Sequence, residues 1–235
     1  MISALAALTL LTYNVEFNNP DPSASLDAIA SADADVVLLQ EVTRDWERAL
    51  VARFAKQYPH RIFRIGARGP TGMAVLSKRP ISAEEVISSP VYAFAQRLEI
   101  DAPFGAVQIL NVHLRPAIDR GSWVRGYFTT PPLRRREIEA YWKHVRGGVP
   151  TIVAGDFNEE PSGTVLAFLA AHGLARAATK GPRTWHYVAG GREWLAMDID
   201  HVALDGALTA RDAHVLDAGT SDHRPVAVTI EKKSP

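Results

Sequence analysis

The stretch TIVAGDFN at residues 151–158, together with TSDHRPV at residues 220–226, is the most informative part of the sequence. In the first, Asp156 and Asn158 follow a short apolar run; in the second, Asp222 and His223 precede one. Apolar runs of four to eight residues are typical of central strands that are buried on both faces. Ligand sites of α/β sheets gather at strand ends, so these two stretches predict an α/β protein with a polar site there.

The same arrangement recurs outward from these stretches. Asn14, Glu41 and His113 each stand at the end of an apolar run, and Asp200 lies inside another. The pattern predicts strands over residues 8–15, 36–40, 73–77, 107–113, 151–154, 199–204 and 225–230. Helical patterns between them predict helices over residues 22–32, 45–55, 133–145 and 162–171, with Thr43 as an N-cap and Pro131 in a first turn.

Length and composition indicate one globular domain over residues 1–235. The chain has 47% apolar and 22% charged residues, no internal repeat and no linker, which excludes disordered and collagen-like chains. Cysteine is absent, which excludes disulfide scaffolds, thiolate metal sites and cysteine nucleophiles. No protein partner is implied, and a monomer is expected.

No transmembrane segment is predicted. The longest apolar run, residues 2–11, is too short to span a bilayer and lacks the basic region of a signal peptide. A buried first strand is the simplest interpretation, and the remnant of a trimmed leader is the alternative. A cytoplasmic protein is therefore expected, with export after removal of a leader as the other possibility.

Charge is balanced overall but unevenly placed. Lys plus Arg and Asp plus Glu both number 26, so no global basic field exists to hold nucleic acid nonspecifically. Residues 1–50 carry a net charge of −6, whereas residues 115–146 carry +5. Two interpretations stay open: an acidic metal-binding region facing a basic phosphate-binding one, or a solvated helix face with a loop.

The polar residues at the strand ends indicate a hard cation. A buried strand does not end in Asp or Glu without compensation, because an unpaired buried charge is costly. Oxygen ligands suit Mg²⁺, Mn²⁺ or Ca²⁺, and neither cysteines nor a His-x-x-x-His helix is present to favour zinc. A metal held by few carboxylates with histidines nearby suits phosphoryl chemistry.

Six motifs in order, LTYNV, LLQEV, NVHL, GDFNEEP, DIDHV and SDHRPV, resemble the endonuclease/exonuclease/phosphatase superfamily. The resemblance runs from residue 8 to about residue 230, and GDFN followed some 60 residues later by SDH is its most specific part. It implies a two-sheet α/β sandwich with helices on the outer faces, a four-layer arrangement. It also implies a hydrolase of phosphoester bonds that uses Mg²⁺ or Mn²⁺.

The resemblance also implies roles for the acids and amides. Glu41 would be the principal metal ligand, with Asn14 beside it and Asp222 in or next to the metal shell. Asp156 would orient and deprotonate the attacking water, and Asn158 would contact the phosphate and help to place Asp156.

The histidines follow the same resemblance. His223 would face the scissile phosphate and be oriented by Asp200, much as a carboxylate orients an imidazole in a triad. Asp198 is the alternative to Asp200, but the motif selects Asp200. His113 would be a second phosphate-facing imidazole, a residue type that resembles the deoxyribonuclease, sphingomyelinase and phosphatase branches more than the apurinic endonuclease branch. His201 alternates to the opposite strand face and is interpreted as structural.

Three further residues are candidates for substrate binding. Arg97 lies on an expected strand and would contact phosphate or form an interstrand ion pair. Arg115 and Trp123 belong to a long segment that mixes arginines with aromatic residues and is expected to be a loop. That segment would grip phosphates and stack bases, sit at a lipid headgroup interface, or pack on the domain. Trp185 and Trp194 would line the substrate pocket or belong to the core.

The sequence therefore predicts a divalent-metal-dependent phosphohydrolase, foremost a phosphodiesterase or nuclease. Nucleic acid, DNA or RNA, is the leading substrate class. The alternatives are phosphomonoesters and phospholipid headgroups as in sphingomyelinases. An alternative of another class is a non-catalytic binding module that keeps the fold.

Overall fold

The computed structural model describes residues 6–66 and 69–233, which form two mixed six-stranded sheets, a separate two-stranded hairpin and five helices. The strands are β1 (Ala7–Asn14), β2 (Val36–Gln40), β3 (His60–Arg64), β4 (Met73–Ser77), β5 (Ile81–Ser88), β6 (Phe94–Ala102), β7 (Gly105–His113), β8 (Thr151–Asp156), β9 (Leu174–Arg176), β10 (Trp185–Ala189), β11 (Arg192–Met197), β12 (Asp200–Asp205), β13 (Leu208–Val215) and β14 (Val226–Lys232). The helices are α1 (Pro22–Ala32), α2 (Arg44–Phe54), α3 (Trp123–Thr129), α4 (Pro131–Trp142) and α5 (Thr164–Ala171).

The two sheets pack face to face, and side chains that alternate along each strand separate the layers. Leu8 and Leu10 of β1 point to the interior between the sheets, where they join Ile109 and Ile152 of the second sheet. The opposite face of the first sheet is covered by α1 and α2, and that of the second sheet by α4 and α5. The layers run helix, sheet, sheet, helix, so the predicted four-layer α/β sandwich is confirmed.

The strand order brings the polar strand ends together. The first sheet runs β13-β14-β1-β2-β4-β3 and the second runs β5-β6-β7-β8-β12-β9. The parallel pairs β1–β2 and β7–β8 place Asn14 beside Gln40 and His113 beside Asp156. The antiparallel β12 then places Asp200 directly opposite Asp156. Four of the predicted site residues thus meet where β1, β7, β8 and β12 end or begin.

Close strand contact at this edge depends on Gly155, the residue before Asp156. Its φ of 140° lies in the region that favours glycine, and a Cβ there would lie 1.9 Å from the carbonyl oxygen of Val112 on β7. The backbones of β7 and β8 therefore approach each other at the position that sets the direction of the Asp156 side chain.

A buried polar chain crosses between the sheets just behind the site. Gln40 donates from Nε2 to Oγ1 of Thr12 and, over 2.9 Å, to Oδ1 of Asn111 on the other sheet. Asn111 in turn donates to Gln96. Hydrogen-bonded polar groups inside a low-dielectric interior favour one geometry, so this chain holds the two sheets in register next to the site.

The predicted elements and the observed ones agree where burial is complete. All seven predicted strands and four predicted helices are present, with ends that shift by a few residues, and Thr43 caps α2 by accepting from the amide of Trp46. Residues 2–5 of the first apolar run lie outside the described residues. Within residues 6–66 and 69–233, no helix is both long and apolar enough to cross a membrane.

The segment after His113 corrects the sequence prediction. It was expected to be a loop, but residues 123–129 form α3, and α4 begins at Pro131 instead of residue 133. Ser122 caps α3 by accepting a hydrogen bond from the amide of Arg125. The aromatic side chains of α3 lie on one exposed face of the helix. The usual amphipathic pattern places apolar residues towards the core, so this segment did not show the pattern of a helix.

Candidate active site

Four carboxylates and two imidazoles line a cavity of about 200 Å³ at this sheet edge. The charged and imidazole side chains in its wall are Glu16, Glu41, Asp156, Asp222, His113 and His223. Within the ranges that the structure describes, no Lys or Arg side chain lines it. The cavity therefore holds an excess of negative charge inside a low-dielectric wall.

Asn14 joins two of the carboxylates. Its Nδ2 donates to Oε1 of Glu41 and to Oδ2 of Asp156, each over 3.1 Å, while its Oδ1 accepts from the amide of Glu16. In this geometry the amide nitrogen, and not the oxygen, faces the carboxylates. The structure thus places Asn14 as a bridge between Glu41 and Asp156.

Glu41 follows directly on β2 and adopts a left-handed backbone with φ of 63°. A non-glycine residue in this region is uncommon and frequent at functional sites. The turn directs the side chain into the cavity, where Oε2 accepts from the amide of Phe17 over 3.1 Å. Burial raises the pKa of Glu41 above its ordinary value.

Asp156 is held by the loop that follows it. Its Oδ1 accepts from the amide of Asn158 over 2.8 Å, and Asn158 also has a left-handed backbone, with φ of 52°. The side chain of Asn158 donates to the carbonyl of Leu114 and so ties this loop to the end of β7. Burial raises the pKa of Asp156, against the opposing charge of His223.

His223 and Asp200 form a buried pair. Nδ1 of His223 lies 2.8 Å from Oδ2 of Asp200, and Nε2 points towards Oδ2 of Asp156 at 3.7 Å. Burial alone would lower the pKa of His223, but the charges of Asp200 and then Asp156 raise it well above its usual value. The raised pKa favours the cationic imidazole, which points towards Asp156, the residue that the sequence predicts to activate the water.

His113 is a neutral counterpart to His223. Its Nε2 lies 3.6 Å from Oδ2 of Asp156 and 3.8 Å from Oε1 of Glu41, without a hydrogen-bond partner among the residues that the structure describes. Burial and then the charge of His223 lower the pKa of His113 to about 3, with the carbonyl of Pro70 opposing. The ring of Tyr92 packs edge-on against it, with centroids 5.5 Å apart.

Asp222 and Glu16 form the more exposed side of the cavity. Oδ2 of Asp222 accepts from Nε1 of Trp185 over 2.9 Å, and its amide donates to Oε2 of Glu16 over 3.2 Å. Burial, followed by the charge of Asp222, raises the pKa of Glu16. Sequence reasoning missed Glu16, although its place two residues after Asn14, beyond the end of β1, was an available signal.

The substrate-binding candidates are divided. Trp123 stacks on Trp185, with centroids 5.4 Å apart, and lines the cavity. Arg115 does not line the cavity. It donates a hydrogen bond to the carbonyl of Ile118, and its guanidinium lies over the ring of Tyr92. Arg97 is buried in ion pairs with Glu85, its partner on β5, and with Glu99.

These positions settle several sequence alternatives. Of the two roles considered for Arg97, phosphate contact and interstrand ion pair, the structure contains the ion pair. Trp185 lines the cavity, whereas Trp194 is exposed and not part of the core. His201 accepts from Arg176 and contacts the carbonyl of Glu159 away from the cavity, as a structural role requires. Asp198 lies near Arg183, so Asp200, and not Asp198, contacts His223.

A two-sheet sandwich with an acid and imidazole cavity at one sheet edge is a phosphoesterase fold. The chain belongs to the Endonuclease/Exonuclease/phosphatase family, whose model matches residues 11–223. The resemblance drawn from the six motifs is thereby confirmed. No curated protein sequence matches the chain.

Solved structures of this family superpose on nearly the whole chain. An endonuclease/exonuclease/phosphatase from Beutenbergia cavernae is 21% identical, with a TM-score of 0.79 over 97% of this chain and 72% of its own. TDP2 from D. rerio complexed with a single strand DNA product is 16% identical, with 0.74 over 96% and 99%. Sphingomyelinase C from Streptomyces griseocarneus is 20% identical, with 0.72 over 95% and 99%. At these identities the likeness shows the fold.

Proposed function

We propose that this protein is a divalent-metal-dependent phosphodiesterase that attacks phosphorus with water activated by Asp156. The observation that carries the proposal is the cavity itself, which is lined by Glu41, Asp156 and Asp222 together with two imidazoles, one with a raised and one with a lowered pKa. Carboxylates for a hard cation, one base and one fixed imidazolium are the groups that phosphoryl transfer by water requires.

The donor set fits Mg²⁺ or Mn²⁺. Glu16, Glu41 and Asp222 all offer carboxylate oxygens to the cavity, and burial, followed by repulsion from the charge of Asp222, raises the pKa of both glutamates. This mutual repulsion would be relieved by a cation, and oxygen ligands favour these ions. Glu41 would be the principal ligand, with Asp222 and Glu16 beside it. The bound ion would polarise a phosphoryl oxygen and stabilise the leaving oxygen.

A second cluster is less suitable for the ion. One ligand atom each from Asp156, Asp200 and His223 lie within 4.8 Å of one another. However, Nδ1 of His223 already contacts Asp200, and the raised pKa of His223 places a positive charge there. A cation in this position would be repelled by the imidazolium, so we assign the cluster to proton and phosphate handling.

Asp156 is suited to be the general base. Its Oδ1 is held by the amide of Asn158, and its Oδ2 faces the cavity. In the reaction, the water oxygen bonds to phosphorus, the proton passes to Oδ2 of Asp156, and the bond to the leaving oxygen breaks. A raised pKa brings this base nearer to neutral pH, where proton acceptance is most effective. Asn14 would keep the carboxylate of Asp156 aligned with that of Glu41, because its Nδ2 donates to both.

The histidines would stabilise charge on the phosphoryl group. His223 is held by Asp200 and presents Nε2–H to the cavity, where it would donate to a phosphoryl oxygen. His113 is uncharged, so it would donate or accept a hydrogen bond without adding positive charge. A preorganised cationic donor directed at developing negative charge commonly contributes about two to three orders of magnitude in rate.

A diester is favoured over a monoester. The cavity contains no arginine or lysine among its described lining residues, whereas the second negative charge of a monoester would benefit from one. One similar structure holds a DNA product and another is a sphingomyelinase, and DNA and sphingomyelin are both phosphodiesters. The proposal therefore specifies a phosphodiester and leaves its substituents to the pocket beside the site.

The first test is metal-dependent hydrolysis of bis-p-nitrophenyl phosphate and p-nitrophenyl phosphate, with EDTA as a control. We expect turnover of the diester with Mg²⁺ or Mn²⁺, and loss of about a hundredfold or more in Glu41→Gln, because the principal ligand loses its charge. Glu139→Gln, an exposed position on α4, should behave as wild type.

The assignment of Glu41 needs a readout apart from turnover. Calorimetric titration with Mn²⁺ should show weaker binding to Glu41→Gln than to wild type or Glu139→Gln. Metal binding by wild type with no hydrolysis of either ester would support a non-catalytic binding module instead. Equal turnover by Glu41→Gln and wild type would contradict the metal assignment.

A further inference from the structure

We infer that the pocket between α3 and the β10–β11 hairpin binds the aliphatic chain of an amphiphilic phosphodiester. This inference rests on the proposed function, because the phosphate of that substrate would occupy the cavity at Asp156. It concerns mainly the side chains of α3 and of the hairpin, which take no part in the chemistry.

The exposed apolar side chains of this protein are concentrated in two elements. Among the residues that the structure describes, twelve large hydrophobic side chains are exposed, and eight of them belong to α3 and the hairpin. These are Trp123, Val124, Tyr127, Phe128, Tyr187, Val188, Trp194 and Leu195. Scattered exposed apolar residues need no explanation, but five of these eight, Trp123, Val124, Tyr127, Phe128 and Leu195, line one cavity, and such a cluster indicates a binding surface.

The four residues of α3 lie on one face of the helix. Trp123 and Tyr127 are four residues apart, as are Val124 and Phe128, so they form two adjacent rows. Phe128 and Val124 are each 74% exposed, so these two side chains do not pack on the domain. Leaving such side chains in water sacrifices stabilisation, so a partner that covers them would be favoured.

A cavity of about 490 Å³ lies between the two elements, within the size range of small-molecule sites. Its wall is mainly apolar, with side chains of α3 on one side and Leu195, Ala196 and Met197 of β11 on the other. Arg183 is the one cation among the described residues of the wall, and it is paired with Glu160 and Asp198 at 3.4 and 3.5 Å. The cavity thus offers hydrocarbon contact and little uncompensated charge.

This cavity adjoins the cavity at Asp156 and shares a wall with it. Asn158, Ile199 and the stacked pair Trp123 and Trp185 line both. The hydrogen bond from Nε1 of Trp185 to Asp222 fixes the tryptophan between them. A substituent on a phosphate bound at Asp156 would therefore extend past Trp185 into the apolar cavity.

An aliphatic chain fits these walls better than a nucleic acid strand. Single-stranded nucleic acid is held by a positively charged groove with stacking aromatics. Here the aromatic residues are present, but Arg125 is paired with Asp119, and Arg224 with Asp217 and Glu193. These two arginines and Arg183 are paired with carboxylates, so the wall of the cavity itself is apolar instead of cationic.

The test compares p-nitrophenyl methyl phosphate with p-nitrophenyl octyl phosphate below the micelle concentration of the octyl ester. Both release p-nitrophenolate, so the phosphoryl chemistry is shared and the chain alone differs. We expect kcat/KM for the octyl ester to exceed that for the methyl ester by about tenfold or more, because burial of methylenes is favourable.

The matched variants replace exposed side chains only. In the double variant Phe128→Ser with Leu195→Ser, the ratio of octyl to methyl kcat/KM should fall to near one, since both residues line the cavity. In the control Val51→Ser with Val86→Ser, two exposed positions on α2 and β5, the ratio should stay as in wild type. Circular dichroism of each variant checks that it folds.

The failure outcomes are distinct. If neither ester is hydrolysed, the proposed function fails. If wild type hydrolyses both esters with equal kcat/KM, or if the double variant keeps the full octyl preference, the pocket assignment is overturned while the function stands. Inhibition of octyl ester hydrolysis by single-stranded oligothymidylate that the double variant abolishes would assign the pocket to nucleobases and overturn it as well.

A further arm separates two sources of the aliphatic chain. Cosedimentation with phosphatidylcholine vesicles that the double variant loses and the control variant keeps would mean that the chain is presented by a bilayer. An octyl preference without vesicle binding would mean that the pocket takes a free amphiphile. Either result agrees with an aliphatic ligand.

Discussion

The catalytic cavity and the apolar cavity share a wall but are built in opposite ways. The first is formed by strand ends that are buried and joined by hydrogen bonds, such as those of Asn14 to Glu41 and Asp156. The second is formed by a seven-residue helix and a hairpin that belongs to neither six-stranded sheet. Under the proposed function, the fold would hold its chemistry on buried strand ends and its substrate contacts on separate elements, in agreement with the principle that fold alone does not specify substrate.

The largest expected effect breaks the catalytic side of this comparison. Asp156→Asn should lower kcat for bis-p-nitrophenyl phosphate by about a thousandfold, because an amide cannot accept the water proton and a general base contributes about two to four orders of magnitude. The measurement is steady-state kinetics with saturating Mn²⁺. Asp212→Asn, an exposed substitution on β13, is the control and should keep wild-type kinetics. Wild-type turnover by Asp156→Asn would show that another group activates the water.

The rigidity of the two regions can be compared with two glycines. Gly155→Ala should cost about 2 kcal/mol or more in the free energy of unfolding, because a Cβ would collide with the Val112 carbonyl in a backbone that favours glycine. Gly190→Ala, in the hairpin turn, should cost only about 1 kcal/mol, because nothing lies within 4 Å of its Cβ position. Urea unfolding measures both. Equal losses would contradict the view that the site edge is the more tightly constrained region.

The smallest effect sharpens the roles of the two histidines through pH. Asp200 raises the pKa of His223, and active enzyme requires His223 protonated, so activity is lost as pH rises through that pKa. Asp200→Asn should move the alkaline limb of kcat/KM to lower pH by about one unit, since an opposite charge in contact shifts a pKa by one to three units. Because the Asp200 charge also raises the pKa of Asp156, the acid limb should move the same way.

The control for this pH profile is Asp198→Asn. Asp198 was the alternative candidate from sequence, but it lies near Arg183 and not near His223. Its profile should match that of wild type. A shift in Asp198→Asn, or none in Asp200→Asn, would mean that another group sets the charge of His223.

The strands predicted from the sequence agree best with the structure where a strand is buried on both faces. Val36–Gln40 and Met73–Ser77 were predicted to the residue, because a strand buried on both faces forms an almost continuous apolar run. The half-buried and exposed strands β3, β5, β10, β11 and β13 were not predicted, since they mix polar and apolar residues without a clear period. The hairpin beside the substrate pocket was missed for this reason.

What the sequence alone determined was the family, the sandwich, and the motif residues that lie at the strand ends. The family and the sandwich came from the resemblance of the six motifs, whereas the strands and their polar ends follow from local properties: an apolar run forms a buried strand, and a polar residue at its end requires compensation. The tertiary structure alone decided that Arg97 pairs with Glu85, that Glu16 joins the cavity and that Trp123 stacks on Trp185. The contacts of Arg97 and Glu16 join residues that are 12 and 206 positions apart in the sequence. Such contacts depend on sheet register, helix placement and competition between charged partners, and a linear pattern records none of these.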